Sequence, residues 1–210
     1  MFWSRENDWI EKGKANKILA EGARLEHCKI RITGSHNRLI FEPGASVRDC
    51  EIEVIGDHHE LYIGENVVLT QSILWFEDHH CQIRIGSGTT MQRFGHIAVT
   101  EPNRKIEIGR NCMFSFSVDI RNGDSHSIIE NATGKRVNWA KNIQIADHVW
   151  LGANTQILGG ATIGENSIIG IRSLVNSTIE PNAIAVGTPA KVIKRGFNWD
   201  SKRWLDGDIV

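Results

Sequence analysis

Residues 142–195 read NIQIADHVWLGANTQILGGATIGENSIIGIRSLVNSTIEPNAIAVGTPAKVIKR. A step of six from Ile145 gives Leu151, Ile157, Ile163, Ile169 and Val175, all large aliphatics. Four residues beyond each stand Val149, Thr155, Ala161, Ser167, Ser173 and Ile179, mostly small or β-branched. Gly152, Gly164 and Gly170 directly follow aliphatic positions. A period of six fits neither a 3.6-residue helix nor an endless two-residue strand alternation. It fits short strands separated by regular corners, with one aliphatic side chain per segment pointing inward. Three segments make a triangular coil of about 18 residues, and coils stack as parallel strands about 4.8 Å apart. Each coil buries its aliphatics against those above and below, so stability accrues along the stack.

Upstream the repeat lengthens. Leu19, Phe41, Ile63 and Ile85 follow one another at 22 residues, and Ile108 comes after 23. Six residues beyond them are Leu25, Val47, Leu69, Met91 and Phe114. The lead-in segments GSHNRLIF, GDHHELYI, DHHCQIRI and EPNRKIEI are alike. This is the same coil with about four extra residues at one corner. Five long coils are expected, then two compact ones from Ile145 and Ile163, then a partial turn near Pro181. Over residues 121–142, RNGDSHSIIENATGKRVNWAKN, the repeat breaks and a polar loop leaves the solenoid. Insertions on one face of a repeat protein often build its binding site. The expected organisation is one domain over 1–210. Residues 1–16 cap one end, 17–190 form the β-helix with its loop, and 191–210 form a C-terminal tail or short helix.

Composition limits the partners. Lys plus Arg is 24 and Asp plus Glu is 25, a net charge of −1. That balance gives no general attraction to nucleic acid or an anionic membrane, so any anion site is local. No run of about 18 apolar residues exists, and the N-terminus is polar, so neither a membrane span nor a secretory signal is expected. Cys28, Cys50, Cys81 and Cys112 form no CxxC pair, which argues against a thiol zinc site. Reduced core thiols in a cytoplasmic protein are the simplest reading, with Cys28 and Cys50 stacked on adjacent coils, where a disulfide is the geometric alternative.

Nine histidines offer candidate bases, since imidazole titrates near neutral pH. His36, His58, His59, His79 and His80 recur at the long corner and are expected in water. His27 and His148 lie inside coils as structural or surface residues. His96 is ambiguous: a surface position or one that lines a cleft. His126 differs: it sits where the chain leaves the solenoid, two residues after Asp124. Asp124 either orients the imidazole, as a triad carboxylate does, or caps the turn.

The segments VWLG, IGENSIIG and AVGTPAKVIK, with NGDSH before a polar loop, resemble the hexapeptide-repeat acyltransferase superfamily. The resemblance covers about residues 19–195. It is strongest to maltose, galactoside, xenobiotic and surface-polysaccharide O-acetyltransferases. It implies an all-β, left-handed parallel β-helix, a hand that reverses the usual crossover rule. It also implies a homotrimer with sites between subunits, acetyl-CoA as co-substrate, no metal, and a carbohydrate acceptor. His126 matches the family's catalytic histidine. Trp150, Ala153 and Ile171 match positions lining the acyl-CoA site, with the Ala153 N–H as candidate oxyanion donor. Trp150 equally suits packing at an interface. Asn176 stands where the family often has threonine near the pantetheine arm, a departure that leaves its role open. Lys191, Lys194 and Arg195 match basic positions on the CoA phosphates, or form a solvated tail. Lys135 and Arg136 either touch an anionic acceptor or lie in solvent.

The expected reaction is O-acetylation of a sugar hydroxyl in surface-polysaccharide or lipopolysaccharide synthesis. A xenobiotic or simple sugar is the alternative acceptor. A zinc enzyme of the γ-carbonic anhydrase type needs three convergent histidines, and none follows His126 at short spacing. A non-catalytic scaffold remains a third reading, because fold does not fix function.

Overall fold

The computed structural model describes residues 7–205. Among them every regular element is a β-strand. The strands form two eight-stranded sheets and one nine-stranded sheet, each taking every third strand of the chain. This is the expected all-β parallel β-helix. The chain crosses a first, a second and a third face and then begins the next coil, eight coils in all. No helix among the described residues is long and apolar enough to cross a membrane.

Register shows what the repeat accomplishes. On the second face Leu39 pairs with Leu61, Leu61 with Ile83, Ile83 with Ile106, and Ile106 with Ile143. On the third face Leu25, Val47, Leu69, Met91, Phe114, Leu151, Ile169 and Ala185 form one column. From Val47 onward every member is buried. Long and compact coils deliver side chains to the same columns. The additional residues go to the corner between the first and second faces. That corner spans 34–37, 56–59, 77–81 and 100–104 in the long coils, and 159–161 and 176–177 in the compact ones. The loop, residues 122–142, leaves at this same corner, between the strands Asp119–Arg121 and Ile143–Ile145.

Three expectations change. Leu19 does not enter a column: Ile18 pairs with Leu39, while Leu19 pairs with Ile40 and is 49% exposed. The coil there is one residue shorter, so a 22-residue spacing lands on an outward position. Residues 8–12 are not a separate cap, because Asp8–Lys12 is the first strand of the first sheet, parallel to Lys29–Thr33. The strand Ala190–Arg195 replaces the expected tail or helix. It runs antiparallel to Ala183–Gly187 and pairs the edge that a parallel stack leaves open. The rest of the cap and tail readings, at 1–6 and 206–210, lie outside the described residues.

All four cysteines are free and buried. Burial pushes Cys50 up to about 12 and Cys81 and Cys112 up to about 11. Thiolate is the reactive form. Native protein near pH 8 should therefore leave Ellman's reagent unreacted, and denatured protein should titrate all four thiols. Phe76 is fully buried in the first face. Phe76→Ala should cost about 3–5 kcal/mol in denaturant unfolding.

Candidate functional site at the extruded loop

The neck of the loop is fixed by two buried polar residues on adjacent coils. The Thr100 N–H donates to Asn122 Oδ1 at 2.7 Å, and Asn122 Nδ2 donates to the Thr100 carbonyl at 2.9 Å. The Lys141 N–H donates to the Asn122 carbonyl at 3.0 Å and closes the neck. Gly123 follows in a narrow passage. A Cβ there would stand 2.6 Å from Thr100 Oγ1 and 2.9 Å from Ala140 Cβ.

Asn138 organises what lies beyond. Its Nδ2 donates to Asp124 Oδ2 and to the His126 carbonyl, each at 2.7 Å. Its Oδ1 accepts from the Ile128 N–H at 2.7 Å and from Arg136 Nε at 3.2 Å. Arg136 pairs with Glu101 and lies over the Trp139 ring, 4.6 Å from its centroid. Glu101 also accepts the Ala140 N–H at 3.0 Å. Arg136 is thus a half-buried brace of the loop and not a free cation; Lys135 is exposed.

His126 and Asp124 are both exposed. The Asp124 carboxylate is hydrogen-bonded to Asn138 and not to the imidazole. Both residues are instead held by one amide group. Among the described residues the His126 ring has no hydrogen-bond partner.

Clefts open between this loop and the first face. One, of about 340 Å³, is lined by Trp75, Glu77, His96, Thr100, Arg121, Asp124 and Ser125. Another, of about 250 Å³, brings Asp124 together with Asn138, Trp139, Lys141 and Asn176. His96 therefore does line a cleft. Its Nδ1 lies 3.0 Å from Asp119 Oδ1, and Arg121 Nε reaches both Asp119 oxygens at 2.8 and 2.9 Å. Burial alone would raise Asp119, but these hydrogen bonds outweigh it and hold the carboxyl below the usual range. This pair was readable as a column, since His96 and Asp119 are register partners. Glu77 was missed. Its oxygens accept from Trp75 Nε1 at 3.0 Å and from the Ser125 hydroxyl at 3.3 Å.

The remaining candidates lie elsewhere. Trp150 projects from the strand Trp150–Leu151 on the third face, 37% exposed. Trp199 from the C-terminal segment packs over it, with ring centroids 6.1 Å apart. Trp199 also stacks on His148 at 4.2 Å and donates Nε1–H to its carbonyl at 2.8 Å. Ala153 and Ile171 occupy the corner between the third and first faces. There the Asn154 N–H bonds the Phe116 carbonyl and the Arg172 N–H bonds the Ala153 carbonyl. Phe116, Ala153 and Ile171 thus form one column, a small residue between two exposed apolar ones. Phe116 escaped the sequence reading because the loop interrupts the spacing that links it to Ala153. Lys191, Lys194 and Arg195 are exposed on the last strand. Arg195 pairs with Glu180 at 2.7 Å, and Lys194 lies over the Phe197 ring at 5.3 Å. Within one chain, then, His126, Asp124 and Asn176 share one edge of the first face. Ala153 and Ile171 occupy its opposite edge.

The corner histidines divide. His36, His58 and His80 are exposed and stack, with centroids 4.9 and 4.7 Å apart. His59 is buried, against expectation. Its Nδ1 accepts the Cys81 N–H at 3.1 Å and its Nε2–H faces the Ile55 carbonyl at 3.1 Å. Burial lowers its pKa from the ordinary imidazole value. No group of three or more metal-ligating side chains is assembled among the described residues.

Fold and repeat together define a hexapeptide-repeat β-helix, and comparison with known proteins agrees. Residues 142–173 match the family described as bacterial transferase hexapeptide (six repeats). The polysialic acid O-acetyltransferase of Escherichia coli O1:K1 / APEC is 32% identical over 56% of this chain and 38% of its own length. That of Neisseria meningitidis is 42% identical over 38% of this chain and 36% of its own length. The chain thus spans well under half the length of these two relatives. The crystal structure of the polySia-specific acetyltransferase NeuO superposes with a TM-score of 0.87 at 29% identity. That match covers 96% of this chain and 93% of the other.

Removing the organising amide should loosen the loop and spare the solenoid. Asn138→Ala should speed hydrogen exchange at the Ile128 amide about tenfold or more, the loss of roughly 1.5 kcal/mol of local hydrogen bonding. Unfolding of the β-helix should shift by much less.

Proposed function

We propose that this protein is an acetyl-CoA-dependent O-acetyltransferase that acts on a carbohydrate hydroxyl, in surface-polysaccharide or lipopolysaccharide synthesis in the cytoplasm. The observation that carries this reading is the loop at 122–142. The repeat is interrupted there by a braced segment in which Asp124 and Ser125 line polar clefts and the exposed His126 follows directly, its backbone held by Asn138. The likeness to polysialic acid O-acetyltransferases supports the reaction class.

Transfer from a thioester to a hydroxyl needs a base, an oxyanion donor and a held donor molecule. His126 is the base: it takes the hydroxyl proton as the oxygen attacks the acetyl carbonyl. The Ala153 N–H stabilises the oxyanion, collapse expels the CoA thiolate, and the imidazolium returns its proton to that sulfur. Asp124 acts through the Asn138 bridge that fixes the backbone of His126. Trp150, Ile171 and the Ala153 notch suit the acyl and pantetheine portions. Asn176 offers an amide where its cleft meets the donor. Lys191, Lys194 and Arg195 offer charge to the CoA phosphates.

The two groups occupy opposite edges of one face, so a complete site is best assembled between subunits of a homotrimer. Ile128, Ile129 and Val137 on the loop are each at least half exposed, an apolar surface suited to a neighbouring subunit.

His126→Ala should lower thiol release from acetyl-CoA by about 10²–10⁴-fold. Acetyl-CoA affinity and the sedimenting mass should not change. Near-normal turnover would remove His126 from the mechanism.

A further inference from the structure

We propose that the acceptor is an uncharged sugar, received in the cleft beneath the loop, and not an anionic glycan such as the polymer named for the relatives above. The inference rests on the transferase reading and assigns its acceptor class.

Two adjoining hollows make the receiving surface. The cleft of about 340 Å³ meets another of about 280 Å³, and both are lined by Glu77, Thr100 and Ser125. Their combined size suits one or two sugar rings. Trp75 lines one hollow and Trp139 the other, giving apolar surfaces for the C–H faces of a sugar.

The charge balance decides the class. Both arginines in these hollows are already committed, Arg121 to Asp119 and Arg136 to Glu101. Three carboxylates are not matched by any cation. Glu77 is held by Trp75 and Ser125, Asp78 by the Glu101 N–H at 2.7 Å, and Asp124 by Asn138. Among the described residues none of the three lies in an ion pair. Lys141 lies in the neighbouring hollow beyond Asn138. Carboxylates with free lone pairs accept hydrogen bonds from sugar hydroxyls. The same carboxylates repel an acceptor that carries its own carboxylate.

The loop neck beside these hollows carries one unpaired buried oxygen. Thr100 is 4% exposed and lines both hollows, yet its Oγ1 has no hydrogen-bond partner. A buried hydroxyl without a partner is uncommon and costly. It sits against Gly123, where the loop begins. The oxygen is closed off from both hollows, so the receiving surface rests on the aromatic walls and the unmatched carboxylates.

Saturation-transfer NMR on the full chain tests this with four probes: maltotriose and chitotriose (uncharged), α2,8-linked trisialic acid (anionic), and the glucosamine trimer (cationic). At least one uncharged trisaccharide should bind about tenfold or more tighter than trisialic acid. Raising the salt should narrow that gap, because screening weakens partly exposed charge repulsion. Glu77→Gln combined with Asp78→Asn should narrow it to about threefold or less. Asp78→Asn alone, at an exposed site, should act in the same direction if the double variant disturbs the loop. The proposal is overturned if trisialic acid binds equally or better, if the glucosamine trimer binds best, or if neither uncharged probe binds. A gap indifferent to both salt and the substitutions also overturns it. Thiol release from acetyl-CoA separates the two levels. Release driven by trisialic acid would keep the transferase and reject the acceptor class. Selective binding of an uncharged probe, with no release from any acceptor, would reject the transferase and keep the cleft.

Discussion

Stacking of inward aliphatic side chains is the constraint on which this molecule rests. A column such as Val47, Leu69, Met91, Phe114, Leu151 and Ile169 demands one apolar group per face per coil, at strand spacing. Nothing in that demand concerns how the chain travels from one face to the next. Corners are therefore free to lengthen, provided their backbone polar groups find partners. They do so by repeating themselves. Turn amides bond to carbonyls of the neighbouring coil, and buried side chains such as Asn37 and Asn122 bond backbone across coils.

One edge takes nearly all of that freedom. Between the first and second faces the chain bulges, stacks the rings of His36, His58 and His80, and finally extrudes the loop. The bulges and the loop are graded versions of one event. What separates them is bracing. The loop has its own closure at Asn122, its own hub at Asn138 and an anchor through Arg136 and Glu101 on the preceding coil. An excursion over residues 122–142 held in this way can present His126 in a fixed direction, where a free one would not.

The same geometry explains why the candidate residues fall into two sets. A triangular coil has three edges, and residues on two different edges of one chain lie a full face apart. The notch at Ala153 and the imidazole of His126 flank one face. On the proposed reading a site uniting them is shared between chains, and the exposed apolar loop residues offer a surface for it.

The sequence alone determined the architecture, because a hexad step records one inward side chain per segment and survives every change of surface. It also located the interruption that carries His126 and Asp124, since a broken period is visible without coordinates. Tertiary structure decided the rest. Leu19 obeyed the spacing yet faces outward, because one missing residue shifts the register between coils. His59 belonged to a run of polar corner residues yet is buried, because its ring satisfies two backbone groups from different parts of the corner. Glu77 and Thr100 came to line the candidate clefts only where the loop folds back across the first face. Periodicity reports where a side chain stands within its own coil; which groups meet across coils, and which charges are left unmatched when they do, depends on distances that only the folded chain sets.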